Sequence, residues 1–475
     1  MNYAEALAYL YSLSDFERGG QFRNDEEQHL LREACLLEAL GNPQHAYTCT
    51  LIAGTKGKGS TAACIESVLR VAGVRTGLYT QPDLHTFRER MRVSGRLISE
   101  EEVADLLPQV RAAVEQIEQK RLFNPFITYE VSTALVLLYF QRQGVEHAVI
   151  EVGIGGRLDA TNVTQPLVSV IASISYDHMQ VLGNTLAAIA REKAGIIKAA
   201  GITVTSAQSI EALLTLTTIA QERQASLLRI GSSAGDPAQA EVDAGYVPAL
   251  SYRYQPEEQS AERQIFTVFT PRETYRGLEI PLAGQHQIEN ATLALATLEA
   301  LRASGRSECA WDEAALRQGL SQVHWSGRLE IISRQPLIVV DGAHNVDSLQ
   351  KLLQSVHTLF PFQHLLVVLG VNADKDLPGM IRLLAQVDHV VLTHVQNPRS
   401  ATLPELQELF AMHAPDVEIS TASDSGDAME LMRTLAGPND LICATGSLYL
   451  VAEVLRWAAA NGNVQVAAEI AGIDH

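Results

Sequence analysis

A chain of 475 residues is too long for one ordinary hydrophobic core, so two domains are the first expectation. Hydrophobic residues make up 47% of it, beside 32 Gly and 17 Pro, a mix that excludes a disordered or fibrous chain. Its formal charge of −19, from 36 Lys+Arg against 55 Asp+Glu, argues against a nucleic-acid or anionic-membrane surface.

The same charge means that any phosphate ligand must be held by local geometry, because the overall field repels it. Cys35, Cys49, Cys64, Cys309 and Cys443 are odd in number and far apart, with no C-x-x-C pair. Neither a disulfide framework nor a thiolate metal site is suggested, and a reducing cytoplasm is the expected setting. Met1 to Gly20 has no basic segment followed by an apolar one, so it does not read as a signal peptide. Tyr3, Leu7, Leu10 and Tyr11 instead mark one face of an amphipathic helix. No apolar run is long enough to span a bilayer.

From Thr48 onward, short β-branched runs alternate with helical patterns. Thr48–Ala53 reads as a strand, Ser60–Ala72 as a helix and Thr76–Thr80 as a second strand. A helix over Thr128–Gln143 precedes the apolar run Ala148–Glu151, and Val168–Ser173 is another strand. Such alternation predicts a mostly parallel sheet covered by helices on both faces. Between Tyr246 and Gly277 the rhythm changes to short segments, Ser251–Tyr254 and Ile265–Phe269, read as a small β excursion. A helix over Gln287–Ala303 closes this region. The first domain is placed at 1–305, a linker at 306–326, and a smaller Rossmann-like domain at 327–475. In the latter, Leu337–Val340, Leu365–Leu369, Val390–Thr393 and Leu441–Ala444 are strand-like.

The strongest local signal is Gly54-Thr55-Lys56-Gly57-Lys58-Gly59-Ser60-Thr61, between a strand and a helix. Glycines let the backbone curl its N–H groups toward an anion, and the helix N-terminus adds a favourable dipole. Lys58 is placed to reach the β- and γ-phosphates of a nucleotide and Ser60 to ligate Mg²⁺, although Gly59 intrudes on the commonest spacing. The bland alternative is a Gly-rich turn that binds nothing.

Glu151-Val152-Gly153-Ile154-Gly155-Gly156-Arg157-Leu158-Asp159-Ala160 then puts a carboxylate at the end of an apolar strand, where open α/β sheets bind ligands. Asp177-His178 follows the next strand; His178 is a candidate divalent-metal ligand, though a lone loop His is more often structural. Lys193, near a helix C-terminus, reads from the residues alone as a solvated cation. Beyond the linker come Arg328, the Asp341-Gly342-Ala343-His344-Asn345 turn and Asp374-Lys375-Asp376. Their placement around a domain boundary suggests that a nucleotide closes between two lobes.

Together these motifs resemble the folylpolyglutamate synthase/dihydrofolate synthase family of Mur-type amide ligases, in the family's order from Tyr3 to Val454. The resemblance implies a P-loop-type domain plus a Rossmann-like domain, and an ATP-dependent ligation of L-glutamate to dihydropteroate or a folyl-polyglutamate. Gly57, Lys58, Gly59, Ser60, Asn290, Arg328 and Asp341 match the family's ATP-contacting positions. Ser60, Glu151 and His178 match its Mg²⁺ positions, two sites in all, and the family leaves room for a monovalent cation. Lys193 matches the lysine that carries a carbamate, and with Lys58, His178 and His344 makes the catalytic set. Ile127, Thr128, Tyr129, Glu130, Leu158, Asp159 and Ala160 match segments bordering the pterin-acid site. The implied partners are ATP, glutamate and a folate or dihydropteroate, with no nucleic acid and no membrane, and the chain is expected to be a monomer. Gln81-Pro82-Asp83-Leu84 departs from the family's usual Ser-Pro-His-Leu, an alteration beside the acid-substrate pocket. Competing expectations are a Mur-type ligase acting on a different acid, and a regulatory P-loop ATPase.

Overall fold

Thr48–Ala53 has side chains suited to burial on both faces, and it lies in the middle of a sheet. Alternate residues enter opposite cores: Leu51 and Ala53 pack on one side, Ile52 on the other. The neighbouring strand His147–Glu151 divides the same way, with Ala148 and Ile150 opposite Val149. The structure, a computed structural model, describes residues 1–14, 26–464, 466–468 and 470.

The larger sheet has eleven strands. In spatial order they are Thr274–Ile280, Gln264–Phe269, Leu250–Gln259, Ser226–Ser232, Ile202–Thr205, Val168–Ile171, Thr48–Ala53, His147–Glu151, Thr76–Tyr79, Met91–Val93 and Arg96–Leu97. Pairing is parallel from Leu250–Gln259 through Thr76–Tyr79 and antiparallel at both ends. The expected β excursion is therefore a pair of hairpins that continues the main sheet. Its strands alternate, burying Phe266 and Val268 with Tyr275 and Leu278 in the same core as the central strands.

Helices Lys58–Val71 and Gln285–Arg302 cover one face of this sheet. Helices Tyr3–Ser12, Glu100–Glu118 and Thr128–Arg142 cover the other. The amphipathic N-terminal helix forms as expected, capped by Asn2 in a reciprocal capping box with Glu5.

The segment 306–326, expected to be a linker, is instead folded onto the larger lobe. It contains the helix Glu313–Ser321, capped by Asp312, which packs on Lys58–Val71. The contact is close enough that a Cβ at Gly319 would meet Val68 Cα at 2.5 Å, and Ser67 Oγ donates to the Gly319 carbonyl at 2.7 Å. Leu316 and Leu320 supply the apolar spacing behind this docking, which a reading for polarity alone overlooks.

The smaller sheet has six strands, in the order Glu330–Arg334, Leu337–Asp341, Leu441–Thr445, Leu365–Leu369, His389–Thr393 and Glu418–Ala422. All but the first pair are parallel. Val339, Val367 and Cys443 face one apolar cluster, while Val340, Val368 and Ala444 face another. A two-lobed α/β architecture results. No helix among the described residues is long and apolar enough to cross a membrane.

Candidate active site

The chain turns from Thr48–Ala53 into its glycine loop through backbone conformations that favour glycine, with φ of +152° at Gly54 and +86° at Gly57. Gly57 is the N-cap of a helix that starts at Lys58, two residues before the sequence suggests. Space matters here as well as conformation: a Cβ at Gly57 would lie 2.2 Å from Asn290 Oδ1. Asn290 is itself held by donating to Gln287 Oε1 at 2.9 Å. A Cβ at Gly59 would press on Trp325 at 2.8 Å, so the segment before Gly327 also braces the loop.

Loop, sheet edge and second lobe enclose one cavity of about 460 Å³. Gly57, Lys58, Gly59, Ser60, Glu151, His178, Asn290, Arg328, Asp341 and His344 all line it, as do Ile127–Glu130 and Leu158–Ala160. The one expected site residue not on its wall is Lys193. It is 4% exposed, not solvated, and lies behind the glycine loop, where its Nζ donates to the Gly54 carbonyl at 2.9 Å. Burial, reinforced by the charge of Lys58, pushes its pKa down to about 7.

Glu151 ends its strand in a buried position, 3.7 Å from Lys58 Nζ, and accepts the Gln81 N–H at 3.3 Å. Burial raises its pKa, while Lys58 opposes the shift. His178 takes a left-handed backbone conformation at φ +49°, and its ring is held below the ordinary histidine range chiefly by burial. Lys56 donates to Asp177 at 3.0 Å, and to His344 Nε2 at 2.8 Å. His344 Nδ1 donates to the Gly342 carbonyl at 2.8 Å, which leaves Nε2 as the acceptor for Lys56. Burial takes His344 down to about 4, so its ring is neutral. Asp341 closes the turn at the second-lobe strand end by accepting Leu329 N–H and Ala343 N–H, each at 2.8 Å. Burial raises its pKa against the charge of Arg328.

At the far end of the cavity Tyr129 donates to Asp159 at 2.8 Å, and Gly153 N–H reaches both side chains. Glu130 is bound by Arg32 through two nitrogens and meets His29 at 2.8 Å. Burial raises the Asp159 pKa, and its four donors work against that shift. This end is thus lined by fixed, mutually satisfied polar groups.

Sequence reading did not single out His29, Arg90, His286, Lys351, Asn372 and Arg399, which also line the cavity. Asn372 and Arg399 follow parallel strands, and their position after an apolar run was the available signal. Arg90 and His29 carried none: Arg90 pairs with Asp83 across a turn, and His29 meets Glu130, a partner distant in sequence. Among the described residues no three His, Cys, Asp or Glu side chains form a ready metal cluster. A cation here would draw on few protein ligands and on the substrate's own oxygens, which suits the hard, hydrated Mg²⁺ ion.

Two domain families match this chain: the Mur ligase middle domain over residues 113–298, and the Mur ligase glutamate ligase domain over 327–448. The chain is 34% identical over 424 residues to the dihydrofolate synthase/folylpolyglutamate synthase of Bacillus subtilis, covering 88% of this chain and 92% of the relative. It is 35% identical over 460 residues to the folylpolyglutamate synthase of Lacticaseibacillus casei, covering 96% and 98%. The solved structure of Mycobacterium tuberculosis folylpolyglutamate synthase complexed with ADP superposes with a TM-score of 0.85 at 30% identity, covering 96% of this chain and 98% of that one. Fold, site and relatives define a Mur-type ligase. Within that class, the chain belongs to the folylpolyglutamate synthase/dihydrofolate synthase family.

Proposed function

We infer that this chain joins L-glutamate to the carboxylate of dihydropteroate, of (tetrahydro)folyl-polyglutamate, or of both, consuming ATP and releasing ADP and phosphate. The observation that carries the reading is the single cavity into which the phosphate loop, the Tyr129–Asp159 end and the second lobe's Arg328, Asp341 and His344 all open. A nucleotide and an acid substrate can then meet without leaving the enclosure.

A carboxylate does not acylate an amine at neutral pH, because oxide is too poor a leaving group. Transfer of the γ-phosphoryl to the carboxylate gives an acyl phosphate, and the glutamate amine displaces phosphate from it. Lys58 and the loop N–H groups stabilise the transferring phosphoryl, and fixed placement supplies much of the remainder. Asn290, Arg328 and Asp341 hold the nucleotide, and the two lobes exclude water from the acyl phosphate. Ser60, Glu151 and His178 offer two oxygen donors and an imidazole that fit Mg²⁺ in one or two sites. When bound, the ion offsets phosphate charge. A monovalent cation remains compatible with the same oxygen-rich wall.

Lys193 is proposed to carry a carbamate. Its burial and lowered pKa favour the neutral amine that CO₂ requires. The carbamate nitrogen keeps one N–H, so the bond to the Gly54 carbonyl survives the modification. We place the lobe boundary at the end of the segment 306–326, just before Gly327, with a monomer as the working unit and the cytoplasm as a setting suited to five free cysteines.

Mass spectrometry of products formed with ATP, glutamate and each acid tests the reading. Expected is a product heavier by one glutamyl residue, with ATP turnover dependent on both co-substrates. ATP turnover that ignores both would instead establish a regulatory ATPase.

A further inference from the structure

We propose that Asp177 is a positioning residue that registers the second lobe on the phosphate loop, with Lys375 as its counter-charge across the cleft; this rests on the ligase reading of the cavity. Asp177 belongs to the first lobe, in the turn that follows the strand Val168–Ile171. Three groups of the second lobe nevertheless converge on it. Lys375 Nζ lies 3.1 Å from Oδ1, Asn345 Nδ2 donates to Oδ2 at 3.1 Å, and His344 Nε2 is 3.7 Å from Oδ2. Lys56, on the phosphate loop itself, takes Oδ2 at 3.0 Å. One carboxylate therefore joins the loop that holds a nucleotide to two separate turns of the opposite lobe.

Two members of this contact, Asn345 and Asp177, are held in place by their own turns. Asn345 is the N-cap of the helix Val346–Leu359, and its Oδ1 accepts Ser348 N–H at 2.9 Å. The amide nitrogen is thereby turned outward to Asp177, and the helix dipole presents its positive end to the carboxylate. The Asp177 backbone turn is fixed too, since Oδ1 accepts the His178 N–H at 3.0 Å.

Adhesion alone does not explain this arrangement. Asp177 is 8% exposed, Lys375 12% and Lys56 18%. Taking three such charges out of water costs enough that apolar packing would hold two lobes together better. What a buried, directional ionic contact supplies in exchange is a single register, its best-attested use. With His344 neutral, the two lysines outnumber the one carboxylate and leave a positive charge facing the cavity. Second-lobe closure and an anionic phosphoryl group in the loop are thus mutually favourable, and each strengthens the other by the same factor.

The test compares wild type, Lys375→Met, Lys375→Arg, Asp177→Asn and the Asp177→Asn/Lys375→Met pair. Lys375→Met should lower kcat roughly ten- to a hundredfold, with ADP affinity within about threefold of wild type, and Lys375→Arg should recover most of it. Small-angle scattering should show a larger radius of gyration for Lys375→Met at an unchanged thermal midpoint, and wild-type dimensions for Lys375→Arg. Adding Lys375→Met to Asp177→Asn should cause no further loss, because the pair acts as a unit. Wild-type kcat and dimensions for Lys375→Met, or multiplicative losses in the double variant, would overturn the proposal. The scattering comparison reads lobe register without turnover, so a chain that forms no glutamyl product would sink the ligase reading while this test still decides.

Discussion

The two walls of the cavity are built differently. On the first-lobe wall, the charged groups around the glycine loop, Lys56, Lys58, Glu151 and Asp177, come from three sequence blocks that follow adjacent central strands, Thr48–Ala53, His147–Glu151 and Val168–Ile171. Glu151 is buried in that wall at the end of its strand, and Lys58, half-buried at the start of its helix, stands beside it. On the second-lobe wall the residues arrive from four places along the chain: Arg328, the turn that carries Asp341 and His344, Lys375 and Arg399. Contiguous placement on rigid strand ends suits groups that must act on a reacting atom; scattered placement suits groups that grip a substrate as a lobe closes. Substitutions in the first wall should therefore stop chemistry, and substitutions in the second should weaken it.

The largest effects belong to the first wall. Glu151→Gln and Lys58→Met should each cut kcat by roughly a thousandfold without lowering the thermal midpoint. Lys193→Ala should fall as far, Lys193→Arg should not restore it, and a short-chain carboxylic acid in the buffer should recover part of the Ala variant's turnover. An active Arg variant would remove the carbamate from the account. On the second wall, Arg328→Met should raise KM for ATP by about ten- to thirtyfold with a smaller change in kcat, since one charge-assisted contact contributes about 1.5–2 kcal/mol. A thousandfold loss in kcat from that substitution would erase the distinction between the walls.

The same contrast governs what could be read from sequence. The first wall was legible because β-branched runs, a glycine loop and a terminal carboxylate follow one another within each block. The central strands of both sheets stand within one or two residues of their sequence-based bounds. Lys193 was not legible without the family resemblance: its position at a helix end suggests solvent, and only the fold puts the glycine loop on top of it. The helix Glu313–Ser321 was hidden by charged residues on its outer face, and Arg90 by dependence on a partner in another turn.

A third prediction separates the lobes by acid sensitivity. His147, buried in the first sheet, meets Thr48 Oγ1 at 2.8 Å and Thr50 Oγ1 at 3.0 Å, and burial lowers its pKa to about 4. The unfolded chain takes up this proton near pH 6.5, whereas the folded chain resists until about 4. Stability is therefore complete above pH 6.5 and declines as pH falls toward 4. At pH 5 the deficit from this one ring is about 2 kcal/mol. Unfolding free energies from urea titrations at pH 7.5 and pH 5 should differ less in His147→Gln than in wild type, by about that amount. Equal pH dependence in the two proteins would assign the acid limb to other groups.

The smallest expected effect lies at the acid-substrate end, and it is a change of preference. Asp83, which stands where the family usually has His, is not on the cavity wall; it pairs at 2.5 Å with Nε of Arg90, which is. Asp83→His replaces an anion by a largely neutral ring and leaves the Arg90 charge less compensated, so the positive potential at that end rises. Dihydropteroate brings one carboxylate, the reacting one, whereas a folyl-polyglutamate brings several. The substitution should thus raise kcat/KM for the folyl-polyglutamate relative to dihydropteroate. The Asp83 side chain is 21% exposed, so the pair is partly screened and the shift should be about fivefold, near 1 kcal/mol. It should shrink as salt is raised, while KM for ATP stays put because the phosphate loop is untouched. A ratio that moves the other way, or one that is insensitive to salt, would mean that Asp83 acts by shaping the turn Gln81–Leu84 and not through the charge of Arg90.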